Sequence, residues 1–150
     1  MATRQVSARA ELPGADLVGS AAAGDVAAIG ELVAAVTPVV VRYCRARLGR
    51  GADAVAHEAC LAILHALPGW AGSFPALVYE LTAQTVDGAR GLPDADSPAA
   101  ALPGMEREIV LLRVAAGLSA GETAEALGLS VNQVRVVQHR ALNRFRARFG

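Results

Sequence analysis

Two helix starts eleven residues apart, at Ser119 and Ser130, constrain this chain more than anything else in it. Ser119 stands three residues before Glu122, and Ser130 three before Gln133. In each pair the serine oxygen can accept from an early amide of its helix. The acid or amide side chain reaches back to the serine's own N–H, the reciprocal cap that opens a helix. Leu129 and Val134 take the staple positions across the second cap, and Gly128 follows the first helix where a left-handed residue costs least. Two helices joined by so short a corner point in different directions. That arrangement is a helix-turn-helix, the geometry that lays a second helix into a DNA major groove.

Rotated at the helical period, the second helix separates into faces. Val134, Val137, Ala141, Leu142 and Phe145 form one apolar stripe, while Asn132, Arg135, Val136, His139, Asn143 and Arg146 point away, flanked by Gln133, Arg140 and Arg144. Amides suit adenine edges, guanidinium groups suit guanine edges or phosphate, and a valine can touch a thymine methyl. The first two turns therefore read as base contacts and the later arginines as phosphate anchors. A merely solvated, arginine-rich terminal helix is the plainer alternative, but two caps, a tight turn and a basic outer face agree with one another.

Charge is spread unevenly although it sums to zero. Residues 105–150 hold seven arginines against four acids, whereas residues 51–104 hold six acids and the single arginine Arg90. No lysine occurs. Hydrophobic content of 53% is enough for a core, though much of it is alanine. No apolar run reaches the roughly 18 residues of a membrane span and no signal peptide is evident, so no membrane partner is expected and the cytoplasm is the expected compartment. Cys44 and Cys60 match no paired metal spacing and read as reduced thiols. His57, Glu58, Cys60 and His65 lack the zinc-protease spacing and an evident third ligand, so no metal and no cofactor is expected. Nucleophile, base and orienter occur together nowhere, which leaves no catalytic residue to name and argues against an enzyme.

Taken in order, residues 1–15 read as a loose leader. Asp25 can cap a helix carrying Val26, Ile29, Leu32, Val33 and Val36, and Thr37-Pro38 reads as a fresh start for a second one through Leu48. Asp53 reads as the cap of a strongly apolar helix to about Ala66, with Asp53, His57, Glu58 and His65 as its exposed strip. Pro68-Gly69 ends it, Trp70 follows in a loop, and Ser73 caps a helix through Ala89. Glycine, proline, alanine and aspartate then dominate, marking 91–101 as a linker. The expectation is an all-α fold of two small helical domains, 16–90 and 102–150.

The words Arg107-Glu108-Ile109-Val110-Leu111-Leu112-Arg113, Gly117-Leu118-Ser119, Glu122 to Gly128 and Val134 to Leu142 closely resemble the fourth-region domain of bacterial RNA polymerase sigma factors of the extracytoplasmic-function group. Upstream, Val40 to Gly49, Ala52 to Ala62, Ala66-Leu67-Pro68 and Phe74 to Tyr79 resemble the second-region domain of the same group, nearest its actinobacterial sigma D-like subset. The resemblance implies a sigma factor that docks on RNA polymerase core, reads an upstream promoter element with the C-terminal helix-turn-helix and helps open a downstream one. Residue by residue it assigns promoter DNA to Asn132, Gln133, Arg135, Val136, His139 and Arg140, to which the helix faces add Arg144, and polymerase to Asp53, His57 and Glu58. Trp70, Tyr79 and Arg90 fall where the melted strand would lie, since unstacked bases favour aromatic rings. An anti-sigma factor or another regulatory protein is a further partner the resemblance suggests.

Two departures stand out. Residues 80–90 match a helix that the family studs with basic groups, yet here carry one arginine and two acids, forfeiting the phosphate attraction that supplies most strand affinity. Residues 91–103 stretch to only roughly 43 to 47 Å at about 3.3 to 3.6 Å each, short for the family. The first departure favours an alternative: a sigma-like DNA- or polymerase-binding regulator that does not itself melt promoters.

Overall fold

A computed structural model describes residues 11–89 and 104–149. Arg90, the linker read over 91–101 and most of the leader lie outside them. Among the described residues every regular element is helical and no strand occurs, as the periodicities require. No clear periodicity marks α1 (Ala15–Ala22); Leu17, Val18, Ala21 and Ala22 bring it onto the core.

α2 (Val26–Leu48) opens where Asp25 Oδ1 accepts from the Ala28 amide at 3.2 Å. The break read at Thr37-Pro38 does not occur. One buried stripe, Leu32, Val36, Val39, Val40, Tyr43 and Cys44, runs straight through the proline, and the Thr37 hydroxyl donates to the Val33 carbonyl at 2.7 Å. Packing along this stripe outweighs the local cost of Pro38, which sits on the solvent side. α2 is also long and apolar enough to cross a membrane, but α1, α3 and α4 pack against it.

α3 (Ala52–Ala66) starts earlier than an Asp53 cap requires. Gly49 and Gly51, at φ 65° and 81°, make the corner, Gly51 takes the cap position, and Asp53 falls in the first turn. A single 3₁₀ turn, Leu67–Gly69, leads to α4 (Phe74–Gly88), capped by Ser73 as its sequence indicates.

The C-terminal unit begins with α5 (Gly104–Val110), which continues as a π-helical turn over Leu111–Ala115. Five consecutive residues, Glu108 to Leu112, are buried, because this element is covered from several sides. Ile109 packs with Ala120, Ala124 and Val134, and Val110 packs with Ala141 and Phe145. Leu111 and Leu112 belong instead to the core that contains Leu32, Tyr43, Ile63 and Leu77. α6 (Ala120–Leu127) lies against α4, so the two halves of the chain share one continuous apolar core. α7 (Val131–Phe149) closes the fold against α5 and α6.

Candidate nucleic-acid interface

Both caps of the helix-turn-helix are present. At α6 the Glu122 amide donates to Ser119 Oγ at 3.0 Å and the Ser119 amide to Glu122 Oε1 at 2.9 Å. At α7 the Gln133 amide donates to Ser130 Oγ at 3.1 Å and the Ser130 amide to Gln133 Oε1 at 2.8 Å. Gly128 turns the corner at φ 70°, where a side chain would be strained, and the Leu129 amide reaches back to the Ala124 carbonyl at 2.9 Å.

This corner leaves α7 anchored on one face. Val134 and Ala141 are fully buried, and Val137 and Phe145 pack beside them. Asn132, Arg135, Val136 and His139 are exposed on the other face, Val136 at 54%. Asn143 Nδ2 lies 3.2 Å from His139 Nε2 one turn on. Gln133 has its carbonyl oxygen engaged by the cap, which leaves its NH₂ group for an outside acceptor.

Arg140 and Arg144 do not simply radiate into solvent. Their Nε atoms lie 3.6 and 3.4 Å from the two carboxylate oxygens of Glu106, a nearly buried residue of α5. Glu106 thereby draws two expected phosphate anchors toward the protein. Arg113 ties the same element to α7, with Nε donating to Gln138 Oε1 at 2.9 Å and Nη1 to the Leu118 carbonyl at 2.7 Å. Sequence reasoning assigned neither Glu106 nor Arg113 a role; the available signal was an acid just before the apolar run Ile109 to Leu112 and an arginine directly after it.

The N-terminal candidates fall into two places. Asp53, His57 and Glu58 are exposed together on α3, with Asp53 accepting from Arg45 Nε and Nη2 at 3.1 and 3.2 Å. That contact raises the Arg45 pKa. Beside them lies a shallow apolar groove bordered by Val33, Val41, Leu61 and Leu64, with Leu61 54% exposed. Trp70 and Tyr79 lie elsewhere. The Trp70 indole N–H donates to the Ser73 carbonyl at 2.8 Å, and its ring borders an open cleft of about 640 Å³ between α1, the α3–α4 loop and Glu122 of α6. The Tyr79 hydroxyl donates to Glu108 Oε1 of α5 at 2.9 Å, so this strand candidate is half-buried against the other half of the chain.

Around Glu108 stands a cluster that the sequence did not announce. The Tyr43 hydroxyl donates to the same Oε1 at 2.6 Å, and Arg47 Nη1 donates to the Tyr43 oxygen at 2.8 Å. Arg47 Nη2 bonds Asp87 of α4 at 2.8 Å, and Arg107 Nε bonds Glu108 Oε2 at 3.1 Å. Burial, together with the Glu108 charge, pushes both tyrosine pKa values well above the usual phenol range, so both hydroxyls stay protonated and donate. Burial pulls the Arg47 guanidinium down, but Tyr43, Asp87 and Glu108 together leave its pKa raised. Among the described residues no three potential metal ligands gather.

These features define an all-α protein of two packed helical units, the second carrying a helix-turn-helix with a polar, basic outer face. Residues 99–145 match the family described as Sigma-70, region 4. The chain is 38% identical to ECF RNA polymerase sigma factor SigD of Mycobacterium tuberculosis strain H37Rv, over 87% of its own length and 81% of that relative's. It is 35% identical to ECF RNA polymerase sigma factor ShbA of Streptomyces griseus, over 87% of its length and 92% of that relative's. The chain belongs to the extracytoplasmic-function group of RNA polymerase sigma factors, which are not enzymes. A solved structure of CnrH in complex with the cytosolic domain of CnrY shares its fold, with a TM-score of 0.68 and 26% identity over 88% of this chain and 94% of that one.

Proposed function

We propose that this sigma factor docks on RNA polymerase core through the α3 strip of Asp53, His57 and Glu58 and brings α7 to an upstream promoter element. The observation that carries the reading is the division of α7, with Val134 and Ala141 sealed inside and Asn132, Arg135, Val136 and His139 open outside. Arg135, His139 and Asn132 then read base edges, Val136 touches a methyl group, and Arg140 and Arg144 move from Glu106 to backbone phosphates. Gln133 contributes its NH₂ group beside its capping role. The complex forms in the cytoplasm, where core polymerase and promoter DNA meet. The groove beside Leu61 suits a regulatory protein that presents an apolar helix face, an anti-sigma factor being the natural class.

A second reading is favoured by two observations: α6 covers α4, and Tyr79 is held by Glu108. In that reading the chain binds polymerase or upstream DNA and does not melt promoters. Run-off transcription with core polymerase on fragments of the chain's own genome separates the two. A specific transcript is the expected result. Core binding with no specific transcript under any condition leaves only the second reading.

A further inference from the structure

We propose that Tyr43, Arg47 and Tyr79 form an anion site for a backbone phosphate of single-stranded DNA, and that Glu108 fills this site while the two halves of the chain are packed together. The proposal deepens the reading of this chain as a promoter-binding factor and rests on it. Both phenols donate to one carboxylate oxygen, at 2.6 Å from Tyr43 and 2.9 Å from Tyr79, and Arg47 Nη1 lies 4.0 Å from the same atom. All three donors belong to the N-terminal half, Tyr43 and Arg47 on α2 and Tyr79 on α4. The acceptor alone comes from the C-terminal half.

The donors are also braced without Glu108. Arg47 is tied to Asp87 of α4 at 2.8 Å, its guanidinium carbon stands 5.8 Å from the Tyr43 ring centre, and the Tyr43 and Tyr79 rings meet edge to face at 6.1 Å. If α5 withdraws, the cluster keeps its scaffold and loses its acceptor. Two phenols and a guanidinium facing solvent with no anion are a ready receptor for one charged oxygen, and a phosphodiester presents the same charge and acceptor chemistry as the carboxylate it replaces. Tyr79 offers an aromatic ring on which a base beside that phosphate can stack.

This placement also answers the missing charge on α4. The helix carries Glu80 and Asp87 and no basic residue between Phe74 and Gly88. Arg47, reaching over from α2, puts a cation beside the Tyr79 face that the sequence of α4 does not supply. One guanidinium partly offset by Asp87 gives weak strand binding, which suits a site that must compete with an internal carboxylate. Strand capture and domain packing are therefore alternatives at a single atom, and the free chain keeps its strand face closed while α3 and the outer face of α7 stay open.

The test uses the full chain and a fluorescent single-stranded oligonucleotide in low salt, with the same sequence as duplex for comparison. Glu108→Gln is expected to bind the single strand roughly tenfold more tightly than the unaltered chain, about the worth of one charge-assisted hydrogen bond. Hydrogen exchange of α4 amides is expected to rise alongside. Adding Arg47→Gln or Tyr79→Phe to that variant removes most of the gain, and Arg47→Gln lowers the salt slope by about 0.7. An opened α4 without tighter strand binding overturns the anion site, as does a gain that survives both added substitutions or that is equal on duplex. An α4 that stays closed in Glu108→Gln overturns the plug. Should that variant fail to fold, Tyr43→Phe with Tyr79→Phe attacks the cluster from the other side: α4 opens but strand binding does not improve, and improvement overturns the proposal. Upstream-duplex binding measured on the same samples with and without Arg135→Ala reports on α7 alone, so a failed strand test and a failed reading of the helix-turn-helix are told apart.

Discussion

α7 and α4 are the two helices a promoter-opening chain has to present, and this fold treats them oppositely. α7 is packed on one side only, so its polar and basic outer face remains open. α4 buries Phe74, Leu77, Val78, Thr82 and Val86, being held by α2 and α3 on one side and α6 on the other. The difference is chemical before it is geometric. A helix of arginines, amides and a histidine cannot be covered without stranding charge, whereas α4, with no basic residue, is easily covered. One half of the molecule presents its polar helix face outward, whereas the other keeps most of its corresponding helix under α6, leaving Glu80, Gln84 and Asp87 exposed.

The comparison breaks most severely if α7 does not face the way described. Val134→Asp places a carboxylate among Ile109, Ala120 and Ala124 and is expected to cost about 4 kcal/mol or more, read as loss of the C-terminal unit in urea unfolding. Val136→Asp, two residues on, should stay within about 0.5 kcal/mol in the same experiment yet lose duplex affinity, because it sets a negative charge beside phosphate. Similar stability losses from both contradict the facing assignment.

Next in size, Arg135→Ala and His139→Ala are each expected to weaken upstream-duplex binding by about 1 to 3 kcal/mol, measured by fluorescence anisotropy at fixed salt. Tyr79→Phe on α4 should leave that affinity unchanged. A loss from Tyr79→Phe equal to the α7 losses would erase the division of labour between the helices.

Alkaline pH sharpens the same contrast from the buried side. Tyr43 and Tyr79 have folded pKa values raised above the ordinary value of about 10, and burial pushes the Cys44 thiol up to about 11 from 9.0. The folded chain thus holds protons that the unfolded chain releases. Stability contributed by these groups is complete below about pH 9 and falls as pH rises, first through Cys44 and then, above about pH 10, through the tyrosines. The urea midpoint should decline across that range, and Tyr43→Phe with Tyr79→Phe should flatten the part above about pH 10.

How much of this could be read from sequence follows from where the information lies. The helix-turn-helix was legible because its signals are local: serine three residues before an acid or amide, glycine at the corner, valine and alanine at the helical period. Its outer face was legible for the same reason. The run of α2 through Pro38 was not, because the evidence against a break is the stripe from Leu32 to Cys44 packed on three other helices. The Gly51 cap of α3 hid behind a more conspicuous Asp53. The Glu108 cluster was least legible of all, since Tyr43 and Glu108 are 65 residues apart and only the packing of the halves brings them together. Tyr79 was expected at the melted strand, and the structure sets its hydroxyl against a carboxylate that no spacing rule could supply.

The smallest expected change concerns Asp53, and it separates exposure that is idle from exposure that is used. The ion pair with Arg45 is open to water on both sides, where solvent and salt screen it, so Asp53→Ala should leave the urea midpoint where it is. Duplex binding should also be unaffected, because Asp53 lies on α3 and α7 does the reading. What should change is association with RNA polymerase core, measured by surface plasmon resonance at moderate salt. Removing one rim carboxylate that faces a basic partner slows association more than it speeds dissociation, and the loss shrinks as salt rises. An on-rate deficit that disappears at high salt places the strip on the docking face, whereas unchanged kinetics at every salt concentration would reduce Asp53, His57 and Glu58 to a solvated helix face.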